Sequence, residues 1–285
     1  MAAARLPEEG ELRIGSVTLP AGRLISGWHG GDHHVAWATV DPVPEPGRVW
    51  AALSELHPQT GLVPILLGGL LGGLPHDGLP DDALRPWDSG EFIAPEDPHG
   101  ADGLDAGALL QFEWGAWVPP RSMDDAETVE MRTPFTRKWP GLAAPEHTPL
   151  TPAERQHALD VTLPRIRRQH GATPAARIGL VAADQPADVL AVIGWDRLYG
   201  RGEDSLMPFT AVLRSWEDRF GARLIDVGFE DLRLLVERPP RTLQAAQRIA
   251  AEQVVLADDC LGGCRDIPNL AACLVRAPIW DFWWD

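Results

Sequence analysis

The feature that most constrains the fold of this chain is an amphipathic pattern between Pro208 and Phe220, which two short apolar runs follow directly. Its apolar residues recur at the three- and four-residue spacing of one helix face; they are Phe209, Val212, Leu213, Trp216 and Phe220. Gly221 is suited to end this helix in the left-handed conformation. Because the apolar stripe must be covered, we expect the helix to pack on a sheet.

Several short patterns around this helix predict the sheet itself. Apolar runs indicate strands at Ile178 to Ala183, Val189 to Trp195, Arg223 to Val227 and Leu232 to Glu237. The last two are expected to form a hairpin around residues 229 to 231. Thr242 and Asp266 are typical helix N-caps, so a helix should follow each of them. The predicted fold class is α+β, with helices packed on a small mixed or antiparallel sheet in the C-terminal half.

The N-terminal half predicts a second α+β region. The spacing between Arg48 and His57 indicates a helix, and Leu62 to Leu67 suits a buried central strand, although Pro64 favours an edge position. Four prolines between residues 139 and 152 indicate either a linker or an ordered crossing between the halves. The predicted domains are residues 1–140, a Pro-rich and helical linker at 141–172, and 173–285.

Charge and cysteine content exclude several classes of function. The chain has 41 Asp and Glu against 25 Lys and Arg, a formal net charge of -16, which repels nucleic-acid phosphates and anionic membranes. Three cysteines do not suggest a disulfide framework, and residues 1 to 10 lack the apolar segment of a secretory signal. We therefore predict a cytoplasmic protein with neither nucleic acid nor membrane as a partner.

Motifs in the C-terminal half resemble a bacterial family, domain-of-unknown-function family 4253. The resemblance covers about residues 173–285 and rests on the run from Leu213 to Ala222, on Ile193-Gly-Trp195, on the pair Pro239-Pro240 and on the terminal run from Trp280 to Asp285. Relatives often carry a Cys-Pro-Asp-like step where this chain has Asp258-Asp259-Cys260. The family implies no catalytic residues.

Two groups of residues offer the ligand types of a metal site. His29, Asp32, His33 and His34 supply imidazole and carboxylate groups, but their spacing matches no standard motif, and adjacent side chains in a strand point to opposite sides. Cys260, Cys264 and Cys273 supply thiols but lack a fourth ligand, and such residues are more often small buried hydrophobes. We therefore expect no metal and no other cofactor.

The remaining candidates are polar or aromatic. Arg214 and Glu217 on the predicted helix are suited to hold a ligand or to form an acid–base pair, or else to fix the helix by ion pairs. Trp280, Trp283 and Trp284, with Asp285, must dock on the domain or on a partner, and Asp259 is a further candidate contact. The run from Gly68 to Gly73 lacks the residues of a phosphate-binding loop, so it favours a plain turn or a lid.

These observations leave two hypotheses for function. The first is a binding or interaction protein without catalytic activity, including an immunity-like partner of a toxin, whose ligand is an unknown protein or small molecule. The alternative is a small-molecule enzyme with an Asp/Glu/His acid–base site in a cleft between the halves.

Overall fold

A computed structural model describes residues 5–27, 33–67, 86–87, 92–118, 126–169, 176–195, 205–229, 231–257 and 266–284. The strands in these ranges are β1 Gly10–Ile14, β2 Val17–Ser26, β3 His34–Thr39, β4 Leu62–Leu67, β5 Arg177–Ala182, β6 Ala222–Val227, β7 Asp231–Val236 and β8 Ile279–Trp283. They form one sheet in the order β1-β2-β3-β5-β4-β6-β7-β8. Neighbours pair antiparallel except β4 and β6, which are parallel. The predicted α+β class and mixed sheet are confirmed.

Helices cover both faces of this sheet. They are α1 Pro46–Thr60, α2 Ala106–Trp117, α3 Ala126–Met131, α4 Pro152–His157, α5 Leu163–Gln169, α6 Val189–Ile193, α7 Met207–Phe220, α8 Leu243–Leu256 and α9 Ile267–Leu274. One buried cluster joins the sheet to α2 and α6 to α9, and a second joins its other face to α1 and α5. None of the described helices is long and apolar enough to cross a membrane.

The sheet runs through both predicted halves without a break. Strand β5, the first strand after the predicted linker, pairs on one side with β3 and on the other with β4. The predicted boundaries at residues 140 and 173 therefore do not coincide with an edge of the sheet. The Pro-rich segment is an ordered crossing rather than a loose tether, because Glu146 N donates to Arg219 O and Leu150 N donates to Glu237 O, at 3.2 and 2.7 Å.

Pro64 lies in the centre of the sheet, and the geometry of its neighbours explains why it is tolerated there. Its carbonyl oxygen accepts a hydrogen bond from the Trp50 indole Nε1 at 2.8 Å instead of bonding to β5. Since N and C=O of one strand residue point to the same side, the Pro64 nitrogen faces β6, where pairing with β4 begins only at Leu66. The missing N–H therefore costs no ladder bond.

Most of the predicted C-terminal elements are confirmed, with one exception. Helix α7 ends at Gly221 with φ 62°, the hairpin of β6 and β7 follows, and the Thr242 and Asp266 side chains cap α8 and α9. The predicted strand from Val189 to Trp195 is wrong, because Val189–Ile193 forms helix α6. All five of its residues are apolar and four of them are buried, so the alternation of polar and apolar residues that separates a helix from a strand is absent.

Candidate functional site

Helix α7 is the element on which the candidate site residues converge, and its charged side chains point toward different neighbours. The Arg219 guanidinium meets the Glu252 carboxylate of α8 twice, at 2.8 and 2.7 Å. The same carboxylate accepts from Trp216 Nε1 at 2.7 Å and from Ala143 N at 2.6 Å. Glu252 is fully buried, yet both of its oxygens are satisfied, so this network joins α7, α8 and the Pro-rich crossing.

Arg214 also joins separate parts of the chain. Its Nε donates to Asp188 and one terminal nitrogen to Asp102, both at 2.7 Å, and the other donates to the Pro98 carbonyl at 3.1 Å. The hydrogen bond to Asp188 is the main cause that raises the pKa of Arg214, while the Arg214 guanidinium holds the pKa of Asp102 below its usual value. Because all three guanidinium nitrogens already donate hydrogen bonds within the protein, Arg214 holds the neighbouring segments in place rather than offering a free pair of donors to a ligand.

A groove of about 590 Å³ lies beside Arg214, between the start of α2 and one side of α7, and we call it the α2–α7 groove. Asp102, Asp105 and Asp218 line it together with Arg214, Arg219 and Leu104. Both arginines are already paired with carboxylates, so the groove presents an excess of negative charge. The Asp105 side chain caps α2 by accepting from the Gly107 and Ala108 amides, at 2.8 and 3.3 Å.

Helix α2, whose first residues Ala106 and Gly107 line the groove, has an exposed side that we call the α2 face. Its buried side holds Leu110 and Trp114, which pack in the core. On the opposite side of the helix, Ala108 is exposed, and Phe112, four residues further on, is 75% exposed. Leu104, which is 41% exposed and lines the groove, precedes the helix. An exposed Phe on a helix that begins beside a charged groove is a feature of protein-binding surfaces.

A second, smaller cavity of about 70 Å³ lies between α1 and α7, and we call it the α1–α7 cleft. Its apolar walls come mainly from Trp50, Val63 and Pro64 on one side and from Pro186 and Leu224 on the other. Its polar groups are Ser54 and His57 of α1, Glu217 of α7 and Arg223 of β6. Residues from both predicted halves therefore form this cleft.

Glu217 is the least satisfied polar group of the cleft. Burial raises the pKa of its carboxyl group, against the opposing influence of Arg223 and of a hydrogen bond from the Ala187 amide. The Arg223 Nε lies 3.7 Å from Glu217 Oε1, too far for a hydrogen bond. The other oxygen, Oε2, is buried and has no hydrogen-bond partner within the described part of the chain. The Glu217 side chain, which lines the cleft, therefore holds one carboxylate oxygen without a partner in these residues.

The hydrogen bonding of His57 fixes the chemistry of its ring. Its Nε2 lies 2.9 Å from the Ala183 carbonyl oxygen, which only accepts, so Nε2 carries the hydrogen. In the neutral ring Nδ1 is then an acceptor. His57 and Glu217 thus both line the cleft, one with an imidazole and the other with a carboxylate.

A buried charge network lies where the parallel strands β4 and β6 end. Asp226 accepts from Arg167 at 3.1 Å and from Arg233 at 2.6 Å, and all three side chains are almost completely buried. Burial alone lowers the pKa of Arg233, but the carboxylates of Asp226, Asp231 and Asp281 outweigh it and raise that pKa. These pairs tie α5, β6, β7 and β8 together, which is a structural role.

The terminal aromatic residues lie in the core, not on a surface. Trp280 and Trp284 are 1% and 2% exposed, and Trp283 is partly buried. The Trp280 ring contacts the Trp216 ring edge to face, with 5.6 Å between the ring centroids. The Trp284 ring contacts the Trp195 ring in the same way, at 5.2 Å. As partner contacts, Trp280 and Trp284 are therefore inaccessible, because β8 is a paired strand that buries both rings.

Several predicted candidates lie outside the described residues: His29, Asp32, Asp259, Cys260, Cys264, Asp285 and the run from Gly68 to Gly73. His33 and His34 are exposed neighbours at the start of β3, and Cys273 is exposed on α9. Within the described ranges, no three His, Cys, Asp or Glu side chains are grouped as metal ligands would be.

Sequence reasoning found Arg214 and Glu217 but missed the residues that surround them. Asp188 and Asp102 precede Arg214 by 26 and 112 positions, and His57 is far from Glu217 along the chain. No local pattern connects such pairs. Glu252 carried a signal, because it is the one charge on the same helix face as Ile249 and Leu256.

The fold and its surface define an acidic α+β protein with one open mixed sheet, helices on both faces and two candidate binding places beside α7. Residues 177–285, the C-terminal part of the chain, match the family described as Domain of unknown function (DUF4253). The match confirms the resemblance seen in the sequence and begins at the first residue of β5. Comparison with curated proteins and with solved structures finds no match.

Proposed function

We propose that this chain is a cytoplasmic binding protein without catalytic activity, and that it holds a basic segment of another protein in the α2–α7 groove. The observation that carries the proposal is that α2, whose first residues line the acidic groove, carries Phe112 on its solvent side, 75% exposed. An immunity-like role, in which the partner is a toxin, is one form of this proposal.

Charge supports a basic partner. Asp102, Asp105 and Asp218 line the groove. Its two arginines form ion pairs with further carboxylates, Arg214 with Asp188 and Arg219 with Glu252. The chain as a whole has a net charge of -16. Such a field raises the rate at which a cationic partner associates and disfavours acidic competitors.

The α2 face supports a protein partner rather than a small ion. Burying a large apolar side chain such as Phe112 stabilises a complex by about 1.5–3 kcal/mol before the costs of association are subtracted. An aromatic anchor beside a charged rim is the usual arrangement of a binding hot spot.

The enzyme alternative is favoured by one observation, the presence of His57 and Glu217 on the walls of the α1–α7 cleft. Its cavity of about 70 Å³ is well below the roughly 300–1,000 Å³ of typical small-molecule sites. The binding hypothesis therefore has the stronger geometric support.

A photocrosslinking experiment tests the binding proposal. A photoreactive phenylalanine analogue replaces Phe112 in cells of the source organism, and the matched control carries it at Leu243, which is 52% exposed at the start of α8. We expect a basic protein crosslinked at 112 and not at 243. With that protein purified, Phe112→Ser should weaken binding at least tenfold, Leu243→Ser should not, and added salt should weaken it further.

The proposal is wrong if the two positions give the same crosslinked proteins. It is equally wrong if the purified partner binds the Phe112→Ser variant with unchanged affinity.

A further inference from the structure

We propose that the α1–α7 cleft binds a primary ammonium group carried on a short aliphatic stem. The cleft is separate from the α2–α7 groove, so this inference holds whether or not a basic protein binds there. It rests on the acceptor groups, the apolar walls and the size of the cavity.

The polar groups of the cleft are mostly acceptors. Glu217 Oε2 is buried without a hydrogen-bond partner in the described residues, and such an oxygen is costly unless a donor reaches it. His57 adds a second acceptor, because its Nε2 is committed to the Ala183 carbonyl. The Ser54 hydroxyl, also on the cavity wall, can accept as well. An ammonium group has three donors and no acceptor, and it fits this set.

The walls suit the stem of such a ligand. Trp50 and Pro64 are buried, and the indole nitrogen of Trp50 is already bonded to the Pro64 carbonyl, so both present apolar surface to the cavity. Pro186 and Leu224 form the opposite side. A cavity of about 70 Å³ holds the end of a side chain or of an alkylamine rather than a whole metabolite.

Charge selects a cation over an anion. A ligand carboxylate would have to lie beside Glu217, whereas an ammonium supplies the charge that this buried carboxylate lacks. Arg223 offers only a partial counter-charge, because its Nε is 3.7 Å away and its side chain is 46% exposed. An exposed pair of this kind contributes little, so Arg223 yields readily to a better-placed donor.

The probe that tests this inference is n-butylamine, which reproduces the end of a lysine side chain. Its binding is followed by the NMR signal of the Trp50 indole N–H, assigned with a Trp50→Phe variant. We expect a saturable shift, and no saturable shift with n-butanol, butyrate or tetramethylammonium at the same concentrations. These comparisons use the unmodified protein, so they do not depend on any variant folding.

Variants then locate the site. Glu217→Gln keeps the size of the side chain and should weaken butylamine binding at least tenfold, while Glu55→Gln, at an exposed carboxylate on α1, should leave it unchanged. A non-saturating shift, equal binding by both variants or saturable binding of butyrate would overturn the proposal. Comparing Nα-acetyl-lysine methylamide with its Nε-acetylated form and with free diamines then distinguishes a protein lysine from a free amine as the natural source.

Discussion

The substitution Glu252→Gln, which replaces one carboxylate oxygen by an NH₂ group, should strongly destabilise this protein. The carboxylate accepts four hydrogen bonds, two from Arg219 and one each from Trp216 Nε1 and Ala143 N. A glutamine keeps one acceptor oxygen and places an NH₂ group where the other was. In either orientation Arg219 loses one of its two bonds, and either the indole or the amide donor faces another donor.

The magnitude follows from burial. Arg219 is 9% exposed and Glu252 is not exposed at all, so water cannot replace the lost partner. Breaking one side of a buried ion pair costs about 3–5 kcal/mol. Total stability of a folded chain is about 5–15 kcal/mol, so the change removes a large fraction of it. Arg219→Met should cost a similar amount, because it leaves the Glu252 carboxylate buried without its counter-charge.

A double-mutant cycle is the appropriate assay. The free energy of unfolding is measured by urea titration with tryptophan fluorescence for the parent, Glu252→Gln, Arg219→Met and the double variant. We expect the double variant to lose at least about 2 kcal/mol less than the sum of the single losses. Glu55→Gln, at an exposed carboxylate, serves as the control and should change stability by less than about 0.5 kcal/mol.

Two results would refute this reasoning. Additive single losses would mean that the two side chains do not interact. A loss below about 1 kcal/mol in Glu252→Gln would mean that the carboxylate is hydrated rather than buried, since buried unsatisfied groups cost more than that.

Four further outcomes are expected. Trp280→Ala should lower the free energy of unfolding by about 3–5 kcal/mol because the ring is 1% exposed in the core, which urea titration measures. Gly221→Ala should cost about 1–2 kcal/mol, since φ is 62° and a Cβ there would lie 2.9 Å from a Glu237 carbon; a drop in Tm checks this. Burial raises the pKa of Glu217, so the contribution of its protonation to stability is present below about pH 4.5 and is lost as pH rises through the raised pKa. Between pH 4 and pH 7, the urea midpoint of the Glu217→Gln variant should therefore rise relative to that of the parent protein. Phe112→Ser should leave Tm unchanged within about two degrees, because the ring is largely exposed.

The sequence predicts the elements whose environment differs from side to side. Helix α7 was recognisable because its apolar stripe alternates with polar residues, and Gly221, Thr242 and Asp266 marked element ends by their own chemistry. Helix α6 was mistaken for a strand because all five of its residues are apolar, so it has no polar face. The position of β5 between β3 and β4 depends on long-range pairing, which no local pattern encodes.

The candidate site could be predicted only in part, for a related reason. Arg214 and Glu217 were visible as polar residues of one helix, but what each of them does is decided by residues that the fold brings from elsewhere. His57 and Glu217 face one cavity because β4 and β6 are neighbours in the sheet. The Phe112 ring became notable only when the structure placed it on the solvent side of α2.

Strand β5 opens the segment that matches the DUF4253 family, yet both of its neighbours, β3 and β4, lie upstream of that segment. A fragment cut at residue 177 would start with a strand whose two edges are bare, and bare edges invite intermolecular pairing and aggregation. Strand β6 would lose its parallel contact with β4 as well. If the matched segment were transplanted into another chain, that chain would have to supply two strands of its own. The segment that the family match recognises is therefore not a unit that folds alone in solution.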